Sequence, residues 1–175
     1  MRRLESSVRR CPGGLRLGSW TVAFHGVPGG NVRRLSAWVR QQVACHYDIV
    51  YIHLGSNDLC SSDNVSGLVE ALLDLARYLL HCWGVRQVVI SELLLRWSND
   101  RYRMPFTLSH YNIAVVRVND ILEDRCRQLD GVTFWLHRRL RSSSWFSDDG
   151  VHFNRSGEQR FMRSVRGALL SSQPT

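Results

Sequence analysis

The chain has 175 residues, an apolar fraction of 44% and a formal net charge of +8. This length suits one domain with a substantial core, and this apolar fraction excludes wholesale disorder. No apolar run approaches the about 20 residues of a transmembrane helix, and the start of the chain, residues 1–5, lacks the apolar stretch of a secretory signal. We therefore expect a single domain over residues 1–175 with no transmembrane segment.

The cysteines indicate neither a metal site nor a disulfide framework. There are five, an odd number, and no two have Cys-x-x-Cys spacing. Unpaired cysteines are typical of a reducing compartment, so we expect an intracellular protein.

All 23 basic residues are arginines, because the chain contains no lysine. Arginine forms bidentate contacts with phosphates and carboxylates, which makes a nucleic acid or an anionic surface a candidate partner. Most of the arginines are scattered, however, as on solvated helix faces. Local concentrations are pairs such as Arg2-Arg3, Arg33-Arg34 and Arg138-Arg139.

The first half of the chain predicts alternating helices and strands. Residues 2–11 form a short helix that ends at Pro12-Gly13-Gly14, and Trp20 to Phe24 form a strand followed by a turn over residues 25–30. Asn31 caps the next helix. The clearest buried strand runs from Ile49 to Leu54, because it is short, apolar and rich in β-branched residues.

The second half continues the alternation. Asp63 or Asn64 caps a long helix with leucines at helical spacing, and Gly84 ends it. The remaining predicted elements are a strand over residues 85–90, a polar connection over 96–110, a helix over 111–129, a strand over 132–136, a loop over 141–151 and a helix over 156–170. Strands that alternate with helices predict an α/β fold with a central parallel sheet between helices.

Three loops carry candidate catalytic residues. Gly55-Ser56-Asn57-Asp58 follows the buried strand, Asp149-Gly150-Val151-His152 precedes the last helix, and a third loop ends in Gly29-Gly30. An Asn on such a turn can point its amide at a developing oxyanion, and an Asp three residues before a His can hold that imidazole as a general base. Each motif taken alone also suits a turn or a helix cap. His53, inside the buried strand, is expected to be a hydrogen-bonded core histidine.

Taken together and in this order, the three motifs resemble those of the SGNH (GDSL-like) hydrolase family. The resemblance covers nearly the whole chain and is greatest to the esterase-like domains that some LINE-type retrotransposons encode. It implies a three-layer α/β/α fold that hydrolyses acyl esters without a metal or another cofactor. The implied roles are general base for His152, its orienting carboxylate for Asp149, and oxyanion donors for Asn57 and for the backbone N–H of Gly29, with Gly30 as the alternative.

The chain departs from the family pattern at the nucleophile. Family members open with a strand that ends in a Gly-Asp-Ser motif, whereas residues 2–4 here already resemble the first helix. None of the candidate serines lies at a strand-to-helix junction of that kind; these serines are Ser6, Ser7, Ser19 and Ser56. We therefore expect the first strand and the nucleophile to lie immediately before Met1, so that this chain is inactive. The alternative is a non-catalytic arginine-rich module that binds nucleic acid or an anionic membrane.

Overall fold

The computed structural model describes residues 22–26, 29–43, 46–98 and 107–172. In this part of the chain, three strands alternate with helices. The strands are β1 (Ile49–Ile52), β2 (Gln87–Ser91) and β3 (Val132–Trp135). The helices are α1 (Val32–Gln41), α2 (Asp58–Ser61), α3 (Val65–Cys82), α4 (Leu108–Cys126) and α5 (Arg155–Ser171), with a short 3-10 helix over Ser143–Trp145.

The strands form a parallel sheet in the order β1-β2-β3. Val50 pairs with Val88 and Val88 with Val132, so β2 is the central strand. Because β2 is covered on both faces, Val88, Val89 and Ile90 are fully buried, as expected for a parallel strand between helices. The predicted α/β fold with a parallel sheet is confirmed.

The helices lie in two layers, one on each face of the sheet. Helices α1, α3 and α4 pack together on one face, where the leucines of α3 meet β2. Helix α5 covers the other face and contacts β1. As in other parallel sheets, the carboxyl ends of the three strands meet at one edge. The candidate loops follow or face that edge.

Side-chain caps fix where the helices begin. Asn31 accepts from the N–H of Arg34, and Asn64 accepts from the N–H of Gly67, as the sequence predicts. The fourth helix begins three residues before its predicted start at Tyr111, because Thr107 accepts from the N–H of His110.

The predicted strand from Trp20 to Phe24 is wrong for its described part, since residues 22–26 lie in no strand. His25 in this segment makes side-chain contacts instead: its Nε2 lies 3.2 Å from Tyr47 Oη, and its ring packs near Trp38. The predicted helix over residues 2–11 and the serines at positions 6, 7 and 19 lie outside the described residues. Among the described helices, none combines the length and apolarity that spanning a membrane requires.

Candidate functional site

The loop before α5 holds His152 and Asp149 in direct contact. His152 Nδ1 lies 2.7 Å from Asp149 Oδ2, and the carboxylate is buried while the imidazole is exposed. Asp149 Oδ1 accepts from the backbone N–H groups of Val151 and His152, both at 2.9 Å, and from Ser147 Oγ at 3.0 Å. The carboxylate is therefore held at both oxygens by hydrogen-bond donors.

These donors favour the ionised form of Asp149. The hydrogen bond from the His152 ring, followed by the backbone N–H groups of His152 and Val151, holds the pKa of this carboxyl well below its usual range. An ionised acceptor at Nδ1 selects the tautomer of neutral His152 that carries its proton on that nitrogen. The lone pair of the ring is then on Nε2, which is the arrangement that a general base needs.

Gly150 sets the turn between these two residues. Its φ is +65°, and a Cβ there would lie 2.3 Å from the backbone nitrogen of Ser98. Its carbonyl accepts from the N–H of Trp97 at 2.9 Å. Only glycine permits both this conformation and this close approach, so the loop is seated directly on the segment that follows β2.

The loop after β1 places Asn57 beside the double glycine. Asn57 Nδ2 donates to the carbonyl of Gly30 at 2.9 Å, although the two residues are 27 positions apart. Asn57 lies in a turn and occupies the N-cap position of α2, but its side chain makes no capping hydrogen bond there. One N–H of the amide thus anchors the side chain against the Gly29-Gly30 turn, while the amide group carries a second N–H for a ligand.

Asp58, the next residue, joins the same loop to α1. Both of its carboxylate oxygens accept from the N–H of Val32 at 3.2 Å. Partial burial raises the pKa of Asp58, and the hydrogen bond from Val32 opposes that effect. Asp58 therefore fixes the start of α1, and with it the glycine turn, against the loop that carries Asn57.

Arg96 and Trp97 connect the two candidate loops. The Arg96 guanidinium is buried and stacks on the ring of Tyr111 at 4.6 Å, and Tyr111 Oη donates to the carbonyl of Ser56 at 3.4 Å. Trp97 contacts Gly150, as described above. One short segment after β2 therefore supports the Asn57 loop on one side and the Asp149 loop on the other.

Sequence reasoning missed the supporting residues Ser147, Asp58 and Arg96. The role of Ser147 could have been predicted, because Ser147 lies two residues before Asp149 in a loop where such short-range hydrogen bonds are common. Asp58 accepts a hydrogen bond from a residue 26 positions away, and Arg96 stacks on an aromatic ring of another element. No local sequence pattern predicts either contact. His53 Nδ1 lies 2.7 Å from Ser91 Oγ, as its predicted hydrogen-bonded role requires. Its predicted position in the core is wrong, because β1 ends at Ile52 and His53 is exposed.

Two serines, Ser147 and Ser56, lie in these loops. Ser147 Oγ donates to Asp149 Oδ1 and to the backbone carbonyl of His152, so its hydroxyl supports the carboxylate. Ser56 contributes its carbonyl, which accepts from Tyr111 and from Cys60 Sγ. Within the described ranges, no three His, Cys, Asp or Glu side chains are grouped as a metal site would need.

Comparison with known proteins adds a family and a fold. Residues 9–160 match the model of the GDSL-like lipase/acylhydrolase family. No functionally curated protein matches the chain. A GDSL-like lipase from Bacteroides thetaiotaomicron superposes with a TM-score of 0.71 at 15% identity, over 83% of this chain and 73% of the other.

Two esterase structures have the same fold. A carbohydrate esterase family 3 protein from Talaromyces cellulolyticus has a TM-score of 0.64 at 17% identity, over 82% of this chain and 68% of its own. A carbohydrate acetylesterase family member from Sinorhizobium meliloti has a TM-score of 0.57 at 16% identity, over 88% and 71% of the two chains. At such identities the likeness establishes the fold alone.

Proposed function

Because the chain belongs to the GDSL-like lipase/acylhydrolase family, we propose that its site is built for hydrolysis of carboxylic esters by acyl transfer to a serine. The contact between His152 Nδ1 and the buried carboxylate of Asp149 carries this proposal. In such a reaction His152 takes the proton of the attacking hydroxyl and later delivers it to the leaving alcohol. Asp149 holds the ring in orientation and stabilises the imidazolium that forms.

The second part of the proposal concerns the oxyanion. When the hydroxyl attacks the acyl carbon, the carbonyl oxygen becomes negative and needs N–H donors. We assign this role to the side-chain amide of Asn57 and to the backbone N–H of Gly29, with Gly30 as the alternative. The hydrogen bond from Asn57 to the Gly30 carbonyl supports this pairing, because it holds the amide next to the glycine turn.

We assign the nucleophile to no residue that the structure describes. Ser147 Oγ is engaged with Asp149, and Ser56 occupies the variable position of its motif. The sequence prediction of a serine immediately before Met1 stays a prediction. We propose accordingly that the 175-residue chain by itself hydrolyses esters negligibly. The base and the oxyanion donors alone retain only about a thousandfold advantage over water, far below the rate of a complete triad.

The test measures turnover of an aryl acetate by two proteins: the 175-residue chain, and a longer chain with a strand ending in Gly-Asp-Ser before Met1. We expect negligible turnover from the first and measurable turnover from the second, at least about a thousandfold higher. His152→Ala in the longer chain is expected to abolish the gain, whereas His81→Ala, an exposed change on α3, leaves it intact.

Two results would contradict this proposal in different ways. A longer chain that folds but stays inert would argue against an esterase site. Turnover by the 175-residue chain that disappears with His152→Ala would support the esterase site but contradict the proposed inactivity, because it would show that the nucleophile is already present.

A further inference from the structure

We propose that a basic surface beside α5 binds the phosphodiester backbone of a nucleic acid. This basic surface consists of five arginines on two adjoining segments, the loop after β3 and one flank of α5. Its members are Arg138, Arg139, Arg141, Arg160 and Arg163. It contains none of the candidate catalytic residues and does not depend on the proposed ester chemistry.

The packing of the loop against the helix brings the two sets of arginines together. His137 Nδ1 lies 2.8 Å from Ser164 Oγ, and Trp135 Nε1 donates to the same hydroxyl at 3.0 Å. Further along, the Arg160 guanidinium stacks on the ring of Trp145 at 3.9 Å. The loop therefore runs along α5 on the flank that carries Arg160. Arg163 follows on this flank by helical spacing.

The positive charge of this surface is barely compensated. Elsewhere in the described ranges, ion pairs with acidic side chains engage Arg77, Arg86, Arg125 and Arg127. On the basic surface one such pair is recorded between described residues, from Arg141 to Glu92 at 3.6 Å. The Glu92 side chain is only 6% exposed, so it neutralises little of the outer surface.

A polyphosphate chain suits this surface better than a membrane does. Guanidinium groups bind phosphate oxygens in bidentate geometry, and several in a row can follow a charged backbone without reading its bases. Membrane surfaces usually also take up apolar side chains. Of the six exposed large apolar residues in the described part of the chain, one, Leu170, lies on α5, and the others lie elsewhere.

Binding of a fluorescent 20-nucleotide single-stranded RNA, measured by anisotropy with the 175-residue chain, tests the proposal. With three or four phosphates neutralised, we expect the affinity to fall about 20- to 50-fold between 50 and 200 mM salt. Arg138→Glu with Arg139→Glu is expected to weaken binding about tenfold or more at 50 mM salt and to reduce the salt slope by about 1.4.

The matched control is Arg33→Glu with Arg34→Glu, an exposed pair on α1. It changes the net charge equally, so we expect less than about a threefold loss if location matters. Equal loss in both double variants, or no RNA binding at 50 mM salt, would overturn the proposal. Binding to phosphatidylserine vesicles but not to RNA would also overturn it, and would assign the surface to membranes. His152→Ala should leave RNA affinity unchanged, which separates this proposal from the esterase proposal.

Discussion

At the scale of single residues, Asp149 organises the candidate site. Its carboxylate accepts from the His152 ring, from two backbone N–H groups and from Ser147, all within a six-residue loop. Such charge-assisted bonds are stronger than neutral ones, and they hold the imidazole and the turn together. Position 149 therefore links the stability of the loop with the orientation and tautomer of the His152 ring.

We expect Asp149→Asn to shift the tautomer of His152. An amide can donate to Nδ1, so the ring proton moves towards Nε2 and the general base is lost. Nitrogen-15 NMR of the histidine side chains should show a ring proton on Nδ1 in the native protein and on Nε2 in the variant. An unchanged spectrum would contradict the assigned contact.

The same variant should alter acid stability. Because the pKa of Asp149 is lower in the folded than in the unfolded chain, the carboxylate stabilises the fold above about pH 4, and this contribution is lost as pH falls further. We expect Asp149→Asn to cost about 1–2 kcal/mol at pH 7, with the difference shrinking below pH 4. Asp148→Asn, at the exposed neighbour, is the control for urea unfolding at both pH values.

At the scale of elements, the site depends on how closely two loops approach each other. Neither loop is long, but Gly150 lets the Asp149 loop rest on the backbone of residues 97 and 98. The same segment reaches Ser56 through Arg96 and Tyr111. Displacing one contact is expected to disturb the positions of His152 and Asn57 together.

Gly150→Ala is expected to destabilise the protein by about 2–4 kcal/mol. Alanine at this position would have a strained left-handed φ, and its Cβ would also clash with the backbone of Ser98. The φ strain alone costs about 1 kcal/mol, and the clash adds to it. Gly84→Ala is the matched control, because Gly84 has nearly the same φ of +67° and open space around it. Equal losses of unfolding free energy in urea would show that the close approach contributes nothing.

At the scale of the whole molecule, a buried polar cluster around His137 joins the sheet to α5. The ring of His137 is fully buried, and its two nitrogens lie 2.9 Å from Tyr51 Oη and 2.8 Å from Ser164 Oγ. Its backbone N–H donates to the buried carboxylate of Glu92. Burial, with a smaller effect of His53, lowers the pKa of His137 to about 3. The fold therefore requires this histidine to be neutral.

Global stability should consequently fall between pH 6.5 and pH 4. In this range an unfolded histidine takes up a proton while folded His137 does not, so the unfolded state binds more protons and gains stability as pH decreases. His137→Gln is expected to cost about 1–3 kcal/mol at pH 7 and to flatten this part of the profile. Urea unfolding at four pH values measures the effect, and His81→Gln should retain the native slope. Identical slopes for native protein and His137→Gln would contradict the role given to this ring.

The sequence by itself determined the features that depend on neighbours along the chain. The strands β1, β2 and β3, the capping of helices by Asn31 and Asn64, and the parallel α/β arrangement follow from apolar periodicity and local hydrogen bonding. The contact between Asp149 and His152 could be predicted for the same reason, because the two residues are three positions apart. The strand expected over residues 20–24 was wrong over its described part because apolar, β-branched composition does not guarantee a pairing partner.

Only the tertiary structure decided the contacts between distant segments. The hydrogen bond from Asn57 to Gly30, the capping of α1 by Asp58, and the stacking of Arg96 on Tyr111 depend on which loops the packed sheet brings together. The basic surface arises in the same way, because the arginines of the β3 loop and of α5 adjoin only after the loop packs along that helix. Local sequence fixes which side chains are available, and the burial of the apolar faces fixes which of them meet.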